Sequence, residues 1–188
     1  CVLLEAEGYV ARDFGSARAF LDVCQPDQTG CLVADIRMPD MDGLALQEEL
    51  VNRQIALPVI IVTGHGDVAL AVRAMKAGAV DFIEKPFDGE ALLDGVKRAL
   101  EMARKQKSLS ARTRNAAART ATLTLRERQV LEHLMAGRSN KMIAHELGIS
   151  SRTIEIHRAH LMEKMQVRSL SDLVRTALEA DVTPAGAA

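Results

Sequence analysis

No apolar run in this chain approaches the roughly 20 residues that a membrane-crossing helix requires, which excludes a helical span. The opening Cys1-Val2-Leu3-Leu4-Glu5 has no basic segment and no cleavage site, so it does not read as a secretory leader. It also lacks an initiator methionine and reads as a fragment. Cysteines are scarce: Cys1, Cys24 and Cys31 are odd in number and show no metal-ligand spacing. They are expected to be reduced, small core residues of a cytoplasmic protein. No nucleophile–base pair and no phosphate-cradling glycine loop occurs, so nothing supports an enzyme with its own small-molecule substrate. There is no repeat of fixed period.

What is present is a soluble, globular balance of 48% hydrophobic and 26% charged residues over 188 positions. The net charge of -1 hides an asymmetry. Residues 1–100 carry 9 Lys/Arg against 16 Asp/Glu, whereas 101–120 carry six bases against Glu101 alone. From 121 onward nine bases face eight acids. An acidic half and a near-neutral half joined by a basic strip imply two units with different partners.

The first hundred residues alternate short β-rich runs with helical patterns. Strands are expected at Tyr9–Phe14, Cys31–Asp35, Pro58–Thr63 and Ala79–Glu84. Helices are expected over Ser16–Val23, Gly43–Asn52, from Gly64-His65-Gly66-Asp67 through Ala77, and over Glu90–Lys105. Apolar strands alternating with helices predict an α/β unit with a parallel sheet covered on both faces. In such sheets the working residues sit at the carboxyl ends of strands. Asp35, Thr63 and Lys85 all fall there.

Each of the three has a bland reading: a loop cap, a strand-end residue, a solvated charge. Together they make a chemical set. A strand-end carboxylate can accept a phosphoryl group when cations screen the developing charge. A hydroxyl can donate to a phosphoryl oxygen, and an ammonium supplies a point charge.

Asp35 opens D-I-R-M-P-D-M-D-G, Thr63 lies in V-T-G-H-G-D, and Lys85 lies in F-I-E-K-P-F. From about Leu3 to Ala103 the chain resembles the receiver domain of two-component response regulators, especially the nitrogen-fixation type. The resemblance implies a flavodoxin-like, doubly wound sheet of strand order 2-1-3-4-5. It implies that Asp35 is the phosphoacceptor served by a sensor histidine kinase, that Thr63 and Lys85 sense the phosphoryl group, and that Phe82 is a rotating aromatic. Lys85-Pro86 would be a cis peptide. Magnesium would be held by Asp35, by the main-chain carbonyl of Arg37 and by an acidic pair ending the family's first strand. That strand and its acids have no counterpart here; the chain opens in the following helix, at L-L-E-A-E-G-Y. The expectation is therefore poor magnesium binding and inefficient phosphorylation of this sequence.

Residues 106–122, rich in Ser, Thr, Ala and Arg, read as a linker, helical at most at its start. Beyond it everything reads as helix. Thr124-x-x-Glu127 is a capping box and Gly137 closes the first helix. Ser139–Gly148 and Ser150–Met165 have helix-turn-helix spacing. Ile143, Ala144, Leu147 and Ile149 fall where two crossing helices meet, and Ile154, His157 and Leu161 fall on one core-facing stripe. Arg152, Glu155, Ile156, Arg158 and Ala159 are left for other faces. An arginine and a carboxylate in the first half of a helix suit major-groove reading of guanine and of cytosine N4. The bland alternative is a helical hairpin with a solvated charged face. His157, without a cysteine nearby, is a core or phosphate-facing residue rather than a metal ligand.

L-T-x-R-E-x-x-V-L through D-L-V-R-T-A-L is similar to the four-helix DNA-binding domain of the quorum- and nitrate-regulator (LuxR/NarL-type) families, over about Leu123 to Ala180. That resemblance implies a DNA-facing set of Asn140, Lys141, Arg152, Thr153, Glu155, Ile156, His157 and Arg158. It implies a dimerising last helix at Ser169–Ala180, carried by Leu170, Leu173, Val174 and Ala177. Glu155 stands where a lysine often occurs, which leaves the base preference open. The domains expected are thus 1–105, the linker, 123–182 and a disordered tail at 183–188.

The function expected is a cytoplasmic transcription factor that dimerises when Asp35 is phosphorylated and then binds double-stranded promoter DNA, with RNA polymerase as a further partner. Two rivals stand beside it: a constitutive DNA-binding protein with a non-phosphorylatable receiver, and a phosphotransfer intermediate whose helices bind protein.

Overall fold

The structure, a computed structural model, describes residues 1–64 and 68–186. The motif residues His65, Gly66 and Asp67 lie outside the described residues. The chain divides into two compact units, Cys1–Lys107 and Ser108–Ala188.

In the first unit β1 (Leu32–Asp35), β2 (Val59–Thr63) and β3 (Asp81–Glu84) form a parallel sheet in that order. α1 (Val2–Ala6) and α2 (Ala17–Leu21) precede it, and α3 (Gly43–Asn52) and α4 (Val68–Lys76) connect the strands. β2 is central and buried throughout. Successive side chains of a strand face opposite sides of its sheet, so adjacent isoleucines serve two cores. Ile61 packs with Ala34, Val59, Phe20, Leu44, Leu46, Leu50 and Ala74. Ile60 packs with Ile83 and with Leu92, Val96 and Ala99 of α5 (Gly89–Ala121). Each fully buried Ile contributes about 1.5–3 kcal/mol.

Two expectations need correction here. Tyr9–Phe14 forms no strand. A strand is held by ladder bonds to a neighbour, and among the described residues β1 pairs only with β2. Val10, within this segment, is 98% exposed. Second, 106–122 is not irregular, because α5 continues for 33 residues to Ala121. Its Ala, Arg, Lys and Gln are strong helix formers, which outweigh the scattered Ser and Thr. Beyond Ser108 it is part of the second unit, where Ala116 and Thr120 are buried.

The second unit continues with α6 (Leu125–Met135), α7 (Asn140–Leu147), α8 (Ser151–Lys164) and α9 (Leu170–Glu179). Every one of these starts is capped by a hydroxyl: Thr124, Ser139, Ser150 and Ser169 each accept a bond from the backbone N–H three residues on. The Thr124–Glu127 capping box is complete in both directions. Val130, Leu131, Ile143, Ile154, Leu161, Met165 and Leu173 make one core. The tail expected to be disordered is held through Ala185, whose N–H donates to the Glu132 carbonyl at 3.0 Å. Among the described residues no helix is long and apolar enough to cross a membrane.

Candidate functional site

Strand register brings the first set of candidates together. Asp35 of β1 lies opposite Val62, and Thr63 of β2 lies opposite Glu84, so the carboxyl ends of three adjacent strands form one edge. The chain leaves that edge through two further ladder bonds: Ile36 N–H to the Val62 carbonyl at 2.9 Å, and Lys85 N–H to the Thr63 carbonyl at 2.7 Å. Lys85 Nζ donates to Asp35 Oδ2 at 2.5 Å, and the Arg37 N–H donates to Asp35 Oδ1 at 3.0 Å. Partial burial pushes the Asp35 carboxyl up, but the bonds from Lys85 and Arg37 and their positive charges outweigh it and hold the group below its ordinary value. Thr63 is buried on the same edge. Phe82, opposite Ile61, is half-buried against the core of the α3 face. The Lys85-Pro86 bond is cis.

Pattern reading passed over two residues of this loop. Asp42 caps α3, its Oδ1 accepting from the Ala45 N–H at 2.7 Å. Gly43 passes so close that a Cβ there would lie 2.6 Å from the Asp35 main-chain oxygen. The Asp-Gly pair just before a helical run was the available signal.

The donors for a cation are few. Among the described residues no three His, Cys, Asp or Glu side chains come together as a metal-holding group. Asp35 and the Arg37 carbonyl are two oxygen donors where a magnesium ion needs six ligands. Glu5 lies on exposed α1 and Glu7 caps its C-terminus. Among the described residues these donors do not make a magnesium site by themselves.

The second set lies on α7 and α8. Gly148, at φ 67°, makes the left-handed turn between them. Ile143 and Ile154 are fully buried where the two helices meet. On α8, Arg152, Glu155 and Ile156 are exposed, with Arg152 Nη1 donating to Glu155 Oε2 at 3.1 Å. Thr153 is drawn into the cap, its hydroxyl 2.8 Å from that of Ser150. His157 and Arg158 are half-buried, and Arg158 Nη1 donates to Asn140 Oδ1, cross-linking the two helices. Lys141 is exposed at the start of α7.

On α9 the expected dimer stripe divides. Leu173 and Ala177 belong to the unit's own core, so they cannot meet a partner. Leu170 and Leu178 are exposed, and with half-buried Val174 they line a shallow apolar groove. A stripe of i, i+3, i+4, i+7 residues is wider than the contact it makes, and only its inner edge is covered here.

A strand-end carboxylate paired with a lysine in an α/β unit, followed by a capped helix-turn-helix unit, defines a class of regulator, and comparison with known families identifies it. Residues 2–97 match the response regulator receiver domain, and residues 121–177 match the bacterial regulatory proteins of the luxR family. The chain belongs to the response regulators that join these two domains, a family of transcription factors rather than enzymes. It is 49% identical to the transcriptional regulatory protein FixJ of Bradyrhizobium diazoefficiens, over 95% of this chain and 87% of that protein. It is 46% identical to FixJ of Rhizobium meliloti, over 97% of this chain and 89% of that protein. Among solved structures, the response regulator StyR matches with a TM-score of 0.84 and 40% identity, over 95% of this chain and 90% of that one. These matches confirm the flavodoxin-like receiver and the luxR-type helical domain expected from the residues.

Proposed function

We propose that Asp35 accepts a phosphoryl group from a sensor histidine kinase and that this modification controls how the helical unit grips promoter DNA. The observation that carries the reading is Lys85 Nζ at 2.5 Å from Asp35 Oδ2. The carboxylate is held ionised and is therefore nucleophilic at neutral pH. The new bond joins an Asp35 oxygen to phosphorus as the nitrogen–phosphorus bond of the donor histidine breaks. Lys85 then balances charge on the added oxygens, and the hydroxyl of Thr63 turns to donate to one of them. Phe82 follows Thr63 inward, which its half-buried position permits. Asp35 and the Arg37 carbonyl are the oxygens that this chain itself would offer a magnesium ion.

In this reading the surface of α4, β3 and the first part of α5 becomes a dimer face. The pairing is extended by Leu170, Val174 and Leu178 on α9. Two copies then present two α8 helices to a two-fold DNA site. Arg152, Glu155 and Ile156 face the bases, with Thr153 and His157 beside them. Asn140, Lys141 and Arg158 approach phosphates. The setting is the cytoplasm, where the kinase, the promoter and RNA polymerase are found together.

The test compares the full chain with its Asp35→Asn variant in a histidine-kinase phosphotransfer assay followed by DNA titration. The wild type should incorporate phosphate, slowly in the absence of the family's acidic pair, and gain DNA affinity in proportion to the phosphate incorporated, and the variant should do neither. A variant that gains affinity as the wild type does overturns the gating. Equal, phosphodonor-independent affinity of both would favour a constitutive DNA-binding protein.

A further inference from the structure

Gln47 is a buried polar side chain that neither the phosphoacceptor edge nor the helix-turn-helix uses. It stands in the middle of α3, 3% exposed, in a helix whose other buried residues are Gly43, Leu44, Leu46 and Leu50. Its Nε2 donates to the Ala77 carbonyl at 2.8 Å and lies 3.5 Å from the Ala74 carbonyl. Its Oε1 has no hydrogen-bond partner among the described residues. Both oxygens beside Nε2 are acceptors, which fixes the orientation of the amide. A methionine of similar length would fill the same space without a buried, unpaired oxygen. The amide is therefore unfavourable for the core as such, and what it achieves is the hold on Ala77.

Ala77 follows Lys76, the last residue of α4. Gly78, at φ 92°, then makes a left-handed turn: its N–H donates to the Met75 carbonyl at 3.0 Å, and the Ala79 N–H donates to the Ala74 carbonyl at 3.0 Å. Those bonds satisfy two of the carbonyls that a helix end leaves open, and Gln47 satisfies that of Ala77. The chain passes straight into β3, the Val80 N–H donating to the Val59 carbonyl at 2.8 Å. The rest of α4 is lightly anchored. Among the described residues Ala74 is its one buried side chain, Leu70 is partly buried, and Val68, Val72 and Met75 are exposed. Burial stabilises in proportion to apolar area, so an alanine holds a helix far less than a leucine does. The bond from Gln47 is thus a principal restraint on the end of α4.

The start of α3 is fixed to the phosphoacceptor. The Gly43 N–H donates to the Ile36 carbonyl at 3.1 Å, and Gly43 runs close against the Asp35 main-chain oxygen. Gly43 and Gln47 are four residues apart, about 6 Å along one face of the helix. A single turn of α3 has the Asp35 backbone at one end and the end of α4 at the other.

We propose that Gln47 is a positioning residue: it clamps the end of α4 to α3 and so presets the α4 face for pairing with a second copy once Asp35 is phosphorylated. The pairing half rests on the phosphate-gated reading above. A face that is already ordered loses less entropy on association than a loose one.

The test compares the full chain with Gln47→Met, which keeps the length and the helix preference but removes the amide. Amide hydrogen exchange, read by NMR on the unphosphorylated proteins, should speed about tenfold at Gly78 and Ala79, as expected for a lost hydrogen bond and an unpaired carbonyl. The rate of phosphate incorporation at Asp35 should not change, because Gln47 bonds to the end of α4 and not to Asp35. Dimerisation per phosphate incorporated, measured by analytical ultracentrifugation, should weaken about tenfold. Ile55→Val, a core change in the same unit that leaves the amide in place, should lower stability yet pair as the wild type does. Unchanged exchange at Gly78 and Ala79 overturns the clamp. Faster exchange with unchanged pairing makes Gln47 a helix-end bond only and overturns the positioning role. So does an equal loss of pairing in Ile55→Val, which would make the effect one of stability, or tighter pairing in Gln47→Met, which would make the bond a restraint on the face. A wild type that takes up phosphate and pairs no better sinks the phosphate-gated reading and the pairing half with it; exchange then decides the clamp alone.

Discussion

Lys164, in the last turn of α8, donates from its Nζ to the Glu127 carboxylate at 2.7 Å, while the same carboxylate accepts from the Thr124 N–H at 2.8 Å. One buried acid thus closes the cap of α6 and holds the far end of α8. Burial pushes the Glu127 carboxyl up, but the bonds from Lys164 and Thr124 outweigh this and bring it down to about 2 from 4.5.

A carboxylate with a depressed folded-state value stabilises the fold above its unfolded value and loses that stabilisation as pH falls. The helical unit should therefore lose about 3 kcal/mol between pH 4.5 and pH 2 through Glu127 alone. Urea unfolding as a function of pH measures it. In Glu127→Gln the acid-side slope should flatten, and at pH 7 the variant should be about 3 kcal/mol less stable than the wild type.

Gly43→Ala places a methyl group 2.6 Å from the Asp35 main-chain oxygen. Backbone must shift, and the receiver unit should lose about 1–3 kcal/mol. Because the displaced atom belongs to Asp35, phosphotransfer should slow as well. Thermal unfolding and a phosphotransfer time course on one sample check both.

Removing the Lys85 ammonium should let the Asp35 carboxyl titrate at a higher pH. Carbon-13 NMR titration of labelled aspartate, comparing wild type with Lys85→Met, reads this directly. An unshifted Asp35 signal would mean that the 2.5 Å contact does not govern its charge.

On α9 two substitutions should separate stability from association. Leu173→Ala empties a core position and should cost about 2–5 kcal/mol. Leu178→Glu, on the exposed groove, should change stability by less than about 0.5 kcal/mol yet weaken dimerisation. Chemical denaturation and analytical ultracentrifugation distinguish the two.

Much of this was legible in the residues alone. Strand-end positions for Asp35, Thr63 and Lys85 follow from apolar runs and their breakers, and α3 begins and ends where its pattern says. The four hydroxyl caps of the second unit were equally readable, because a cap is a local bond within four residues. Gly43 was not readable, since its constraint comes from a carbonyl that folding brings against it. The division of the α9 stripe was hidden for the same reason: periodicity gives a face, not the width of what covers it.

Sequence by itself settled the class of protein, because the chemistry of Asp35, Thr63 and Lys85 and the capping hydroxyls are written as residue types at short spacings. Tertiary structure alone decided that Tyr9–Phe14 is no strand and that Leu173 and Ala177 face inward. Those outcomes depend on neighbours distant in the chain. A ladder partner or a covering helix leaves no mark in the local sequence of the segment it meets.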